Sequence, residues 1–587
     1  MLRKTKIVAT IGPATWEVET IKKLITAGVN VARINFSHGD HDTHARTVDR
    51  IKQAREAMDA PLAIMLDTKG PEIRIKTFAE GEVELVKGQK FVLTAEEVEG
   101  DENRVSVTYA GLAGDLQIGS RVLIDDGLLE LRVTNIEENG DIECIALNGA
   151  VLGNNKGINL PEANVSLPSL TPQDIEDIKF GIKHDLDFVA ASFVRSAKDV
   201  LEIRQVLEDN GGSHILIIAK IENREGVNNL KSILEVSDSI MVARGDMGVE
   251  IPPEEVPLIQ KYMIKEANKV GKPVITATQM LESMVTNPRP TRAEANDVAN
   301  AIFDGTDAIM LSGETAKGAY PVESVQMMDR IAREIEDSVD YGKSLKQWSG
   351  GHVVNITNAI THAATNIAQE LGAACVATVT KSGFTARMVA KFRPARPAIA
   401  VATSEHLWRQ MSLLWGIVSA RSNMAHNENE LFELAAGEAM KMGLAKNGDA
   451  IVIVAGVPVG VSGSTNLIKV HVLGNVLTRG RGVGTGVVVG KSVIFRSSEG
   501  HDKKFVEGDI LVTTTTDDSL MDYIRKAGAV VVGNEQQTDH SHAQIACKAL
   551  KKPLIITNEM VTDIIHNNIT ITVDADAGFV YNGVVSN

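Results

Sequence analysis

Eight short apolar runs, each followed by a helical pattern, recur over roughly the first 340 residues, and they limit the possible folds more than any other feature. They are Ile7 to Ile11, Val29 to Phe36, Leu62 to Asp67, Phe188 to Phe193, Ile215 to Ile221, Ser239 to Ala243, Pro273 to Ala277 and Ala308 to Leu311. Runs of Val, Ile and Ala without polar alternation suit strands covered on both faces. Eight strand and helix pairs predict a closed, parallel (β/α)8 barrel. Such a barrel carries its chemistry at the carboxyl ends of its strands.

The period breaks once. From Gly70 to about Pro168 short strands and turns replace it, as in R-V-L-I-D-D-G-L-L-E-L-R-V, which predicts a small β-barrel domain inserted after the third strand, placed to act as a lid. A polar stretch, Y-G-K-S-L-K-Q-W-S-G-G, then leads into a second α/β region with strands expected at Cys375 to Thr380, Ala398 to Ala402, Ile417 to Ala420, Ala450 to Ala455 and Leu467 to Val472. The runs G-V-V-V-G, D-I-L-V-T, A-V-V-V-G and P-L-I-I-T suggest a further α/β tail. The expected division is 1–69 with 169–340 (barrel), 70–168 (lid), 341–474 (α/β) and 475–587 (tail).

A length of 587 residues exceeds what one hydrophobic core organises. The formal charge of −16 argues against nucleic-acid binding through the overall field, so any anionic ligand must meet a local cluster. Cys144, Cys375 and Cys547 form no C-x-x-C pair, which disfavours a disulfide framework or zinc ribbon. The N-terminus is unlike a signal peptide and no stretch reaches the length of a membrane span, so a cytoplasmic protein is expected.

Polar groups appear abruptly where the expected barrel strands end. Strand two ends in R-I-N-F-S-H-G, strand three in L-D-T-K-G-P-E-I-R, strand five in A-K-I-E-N, strand six in A-R-G-D-M-G, strand seven in T-A-T-Q-M and strand eight in S-G-E-T-A-K-G. Glu222 and Asp246 close neighbouring strands and could share a divalent cation; a salt-bridged arrangement with Lys220 or Arg244 is the plainer alternative. Lys220 lies two residues before Glu222, so both point to one face, where the ammonium could balance charge on a transferring phosphoryl group or serve as a structural counter-ion. Arg33, Asn35 and Ser37 alternate along strand two, with Asp67 and Thr68 ending strand three beside them. Their oxygens suit a hard cation and Arg33 offers a fork for phosphate, though a hydrogen-bonded rim would use the same residues. The string T-G-V-V-V-G-K-S at Thr485 to Ser492 approaches a phosphate-binding loop, but Thr485 stands where a glycine belongs and the Val run reads as a strand.

Together the strings R-I-N-F-S-H-G, L-D-T-K-G-P-E-I-R, K-I-E-N, G-D-M-G-V-E-I-P and A-T-Q-M-L-E-S-M-x-x-N-P-x-P-T-R-A-E resemble the pyruvate kinase family, over about residues 1 to 474. The resemblance implies phosphoryl transfer from phosphoenolpyruvate to ADP, giving pyruvate and ATP. It implies that Arg33 binds substrate phosphate, that Lys220 stabilises the transition state, and that Gly245, Asp246 and Thr278 meet phosphoenolpyruvate. It assigns Mg²⁺ (or Mn²⁺) to Glu222 and Asp246, and K⁺ to Asn35, Ser37, Asp67 and Thr68. Arg74 and Lys156, the latter in G-N-N-K-G, match positions that approach the nucleotide, and Glu72 matches members that require K⁺. The loop T-K-S-G-F-T-A-R, through Thr380, Lys381, Ser382, Gly383 and Thr385, resembles a site for a phosphorylated allosteric effector; an ordinary capped turn is the alternative. A homotetramer is implied as well.

The tail resembles the swivelling phosphohistidine domain of phosphoenolpyruvate-utilising enzymes through T-D-H-S-H-A-Q-I-A-C-K-A-L-K-K-P-L-I, with His542 at the phosphorylated position. The glycines usual before that motif are replaced by Glu535, Gln536 and Gln537, and the preceding Thr by His540, which favours a structural role. Two other readings stand beside these: a metal-dependent lyase or aldolase acting on pyruvate enolate, and an effector-binding scaffold without activity.

Overall fold

A computed structural model describes residues 2–161, 163, 165–341, 355–458, 465–474, 476–496, 504–533 and 541–584. The linker string after Tyr341, and Glu535 to His540, lie outside the described residues. Two compact units make up the chain: Met1–Gln369 with Ala377–Leu434 and Val454–Leu467, and Glu370–Val376 with Ala435–Ile453 and Ile468–Asn587.

Eight parallel strands close the expected barrel: β1 Lys6–Thr10, β2 Val31–Asn35, β3 Ala63–Asp67, β4 Phe188–Ala191, β5 Leu216–Ile221, β6 Ser239–Ala243, β7 Val274–Ala277 and β8 Ala308–Leu311. Closure is made by β1, which pairs with β2 on one side and with β8 on the other, Lys6 opposite Ala308. Alternation within each strand divides the side chains. Val8, Val31, Met65, Phe188, Ile218, Met241 and Ile275 belong to one buried cluster, while Ile7, Ala32, Ile64, Val189, Ile217 and Ile240 pack in a second cluster with helix residues. Each such fully buried aliphatic side chain contributes about 1.5–3 kcal/mol, which is why these runs lack polar residues.

Local signals fix where the helices begin. The helix Pro172–Lys183 starts at Thr171, whose hydroxyl accepts from the Asp174 N–H while Asp174 accepts from the Thr171 N–H; such a cap is worth about 0.5–2 kcal/mol. Asp174 also accepts from the Gly70 N–H at 2.9 Å, anchoring the point where the chain leaves the barrel for the insertion. Gly70 has φ +72°, and a Cβ there would lie 2.9 Å from both Ser192 and Phe193, so glycine is required on two counts.

The insertion forms a seven-stranded sheet in the order Ile73–Arg74, Gly157–Asn159, Arg121–Ile124, Leu129–Ile136, Ile142–Ala146, Lys90–Thr94, Arg104–Ser106. Its two end strands are joined by the bridge between Ile75 and Val107, which rolls the sheet into a small barrel around Phe78, Phe91, Leu93, Leu131 and Cys144. The second α/β region carries a five-stranded sheet in the order Ile417–Arg421, Ala398–Ala402, Cys375–Thr380, Ala450–Ala455, Leu467–Val472. The tail holds an eight-stranded sheet, and the Val run of the false phosphate loop lies in its strand Val487–Phe495.

Candidate functional site

The carboxyl ends of β2 to β7 bring most of the rim residues together. Lys220 is the penultimate residue of β5, and Glu222 follows the strand. The Lys220 ammonium sits 2.9 Å from Glu222 Oε1, 3.0 Å from Asp67 Oδ1 and 2.7 Å from the Ser192 hydroxyl. Burial alone would pull its pKa down, but Asp67 and Glu222, with Asp246 farther off, hold it above the usual lysine value, so the charge is permanent. Glu222 also accepts from the Phe193 N–H at 2.6 Å. Burial and the nearby Asp246 push Glu222 up to about 7, against the pull of Lys220. A cation bound there would relieve this penalty.

The plainer salt-bridge alternative is half realised. Glu222 does pair with Lys220, but Arg244 turns away, bonding Asp297 at 2.7 Å and the carbonyls of Ala277 and Thr278. Asp246, in the first turn of the helix Arg244–Glu250, is exposed and takes no hydrogen bond from the described residues. The Gly245 N–H donates to the Thr278 hydroxyl at 2.7 Å. Thr278 itself has φ +68°, unusual for a β-branched residue and a local strain at the end of β7.

On the other side of Lys220, Arg33 donates to Asp67 Oδ2 at 2.6 Å and to the Thr10 hydroxyl at 2.9 Å. Asp67 therefore bridges the two cations, and although it is fully buried, Arg33 and Lys220 hold its carboxyl below the usual range. Asn35 pairs in register with Asp67. Ser37 departs from the expected alternation: β2 ends at Asn35, and Ser37 lies in the following turn, its N–H donating to Asn35 Oδ1 at 3.1 Å. Thr68 accepts from the Ser192 N–H at 3.1 Å.

Ser192 escaped the sequence analysis, as did Thr10. Both end strands, four and one, that lack a conspicuous polar string; the signal was the single hydroxyl directly after A-A in A-A-S-F.

A cavity of about 510 Å³ lies between the rim and the insertion, lined by Glu72, Arg74, Asp125, Lys156, Arg195 and Asp246 among others. Arg74 is braced by Glu72 at 2.6 Å and by the Asn155 carbonyl at 2.5 Å, and Lys156 by Asp125 at 3.0 Å. Arg74 and Lys156 thus face the same space as Asp246.

In the second α/β region, Thr380 ends a strand and its hydroxyl accepts from the Gly383 N–H at 3.0 Å; Lys381 and Ser382 are exposed, and Thr385 lies in the first turn of the helix Phe384–Lys391, hydrogen-bonded to Thr465. Gly383, with φ +74°, allows the turn. His542 begins the helix His542–Leu550; its Nδ1 is 3.1 Å from the Thr516 hydroxyl and its Nε2 3.4 Å from Asp518.

Three family models match the chain: pyruvate kinase barrel domain over residues 2–325, pyruvate kinase alpha/beta domain over 358–471, and PEP-utilising enzyme mobile domain over 505–578. A pyruvate kinase of Geobacillus stearothermophilus is 49% identical over 587 residues, covering 100% of both chains. One from Staphylococcus aureus strain MRSA252 is 46% identical over 99% of each. A crystal structure of a pyruvate kinase from Cryptosporidium parvum is 41% identical, with TM-score 0.77, and covers 80% of this chain and 96% of its own.

Proposed function

The chain belongs to the pyruvate kinase family, and from that premise we propose that it transfers the phosphoryl group of phosphoenolpyruvate to ADP. One observation carries the reading furthest: a permanently charged Lys220, fixed by Asp67, Glu222 and Ser192 at the barrel mouth, on the same rim as Asp246, which lines a cavity with Arg74 and Lys156. In the reaction the bridging P–O bond of phosphoenolpyruvate breaks, a β-phosphate oxygen of ADP bonds the phosphorus, and the enolate released takes a proton. Lys220 and Arg33 neutralise charge that builds on the phosphoryl oxygens, the largest contribution such a site can make. Gly245, Asp246 and Thr278 position phosphoenolpyruvate, while Arg74 and Lys156 receive the nucleotide phosphates.

Glu222 and Asp246 offer only carboxylate oxygens, a donor set that fits Mg²⁺ or Mn²⁺. Asn35, Ser37, Asp67 and Thr68 offer uncharged and carboxylate oxygens that fit K⁺. When bound, the two cations would supply Lewis-acid charge to the phosphoryl group. Glu72 faces the cavity already paired with Arg74, so it adds no positive charge there; activity is expected to need K⁺, and full turnover in potassium-free buffer would refute this.

The same reading covers the division into barrel (1–69, 169–340), lid (70–168), regulatory region (341–474) and tail (475–587), a homotetramer, and a cytoplasmic location; no helix among the described residues is long and apolar enough to cross a membrane. Thr380, Lys381, Ser382, Gly383 and Thr385 would hold the phosphate of an effector, which a kinetic panel of sugar phosphates and nucleotides would identify. His542 is assigned a structural role: its ring is already engaged by Thr516 and Asp518. Label from radioactive phosphoenolpyruvate that is retained by the wild type and lost in His542→Ala would reverse that assignment.

The central test is a coupled assay. ATP should form with pyruvate, and both should stop when divalent cations are chelated. Pyruvate release without ATP would favour the lyase reading.

A further inference from the structure

At the amino end of the barrel, away from the rim, three metal-binding side chains converge. Asp185 precedes β4, His214 precedes β5, and His406 lies in the helix Glu405–Gln410. Asp185 Oδ1 is 3.0 Å from His406 Nε2 and 3.9 Å from His214 Nε2, and one donor atom from each residue lies within 4.8 Å of the other two. The two imidazole rings are 4.2 Å apart between centroids. Tetrahedral bonds of about 2.0–2.1 Å would set donors roughly 3.3 Å apart, so small side-chain rotations complete the set.

A second observation is independent of that spacing. His214 Nε2 is buried and has no hydrogen-bond partner among the described residues. A buried polar atom without a partner is costly and calls for a ligand. Arg409 organises the other two donors, its Nη2 lying 2.9 Å from His406 Nδ1 and 3.2 Å from Asp185 Oδ2. A guanidinium only donates, so His406 Nδ1 must accept, and Nε2 faces Asp185.

We infer that Asp185, His214 and His406 form a binding site for a divalent transition-metal ion, with zinc the best match, clamping the turns before β4 and β5 to the helix Glu405–Gln410. Two imidazole nitrogens and one carboxylate oxygen suit zinc, cobalt or nickel; Mg²⁺ prefers six oxygens. The ion takes the lone pairs of His214 Nε2 and His406 Nε2; the His406 proton moves to Nδ1, whose contact with Arg409 is given up, while Arg409 keeps Asp185 Oδ2. Its fourth position stays open to water, since Asp185, His214 and His406 are all partly exposed.

The full chain is dialysed against zinc in saturating Mg²⁺, and bound metal is counted per chain, with cobalt absorption reporting tetrahedral geometry. Wild type and the rim variant Glu222→Gln should each retain zinc. His214→Gln and His406→Gln should bind it at least about tenfold more weakly and lose the rise in Tm that zinc gives the wild type, while their circular dichroism stays native. Equal zinc affinity in wild type and both histidine variants, no retention by the wild type, or loss confined to Glu222→Gln would each overturn the site.

Discussion

The two ends of the barrel use the same residue types to opposite effect. At the amino end the buried carboxylates Asp187, Asp307 and Glu336 are closed off. Asp307 accepts from Arg393 and the Val274 N–H, Asp187 from Arg409 and the Ile64 N–H, and Glu336 from the N–H groups of Lys4 and Thr5. Arg393 in turn meets Asn268 and the Gly305 carbonyl. At the carboxyl end the charges are as crowded, but Asp246 stays exposed, takes no hydrogen bond from the described residues and lines the cavity that Arg74 and Lys156 face. Sealed pairs fix a joint; leaving one acid open beside fixed cations makes a place for a phosphate and a metal.

The largest expected break in that contrast is Lys220→Met. It should lower kcat by ~10³ or more while largely sparing substrate binding; near-normal turnover in a folded variant would remove Lys220 from the chemistry. At the opposite end, Arg393→Met strands Asp307 with a single backbone donor, and should cost about 3–5 kcal/mol of stability with little change in turnover per folded molecule. Adding Asp307→Asn should restore part of the loss in a urea titration; if it restores none, the ion pair is not what holds the joint. Ser192→Ala sharpens the rim side by removing one hydrogen bond to a charged group, worth about 1.5–3 kcal/mol. That should appear as a fall of roughly tenfold in kcat, and an unchanged kcat would make Ser192 a bystander.

The smallest effect concerns Lys6, the buried first residue of β1, with its ammonium on the Ile417 carbonyl at 2.7 Å. Burial, with Arg3 nearby, lowers its pKa from 10.5 to about 7, against the pull of Glu336. Between those values the unfolded chain holds a proton the folded chain has released, so stability rises with pH across that window and the penalty is complete below about 7. Lys6→Met should therefore gain most over the wild type near pH 6 and least near pH 9. A pH-independent difference would show that Lys6 does not titrate there.

What the sequence disclosed follows from what its patterns encode. A strand covered on both faces must be apolar throughout, so all eight staves could be read, two of them to the residue, Ser239–Ala243 and Ala308–Leu311. Lys220, Glu222 and Arg33 stood out as charges closing such runs. Ser192 did not, because a lone serine after a strand looks like any turn residue. Nor did the amino-end cluster, because Asp187 and Arg409 are 222 residues apart and Asp307 and Arg393 are 86 apart, and no local pattern links them. For Ser37 the two-residue alternation does not hold, because β2 ends at Asn35.

The pairing of β1 with β8 sets a condition on how this protein is made. Lys6 is synthesised some three hundred positions before its partner Ala308. Until then the half-built sheet has two bare edges, each a template for another chain. A message truncated before Leu311 should yield an aggregating fragment, whereas one truncated within the tail leaves every stave of the cylinder in place.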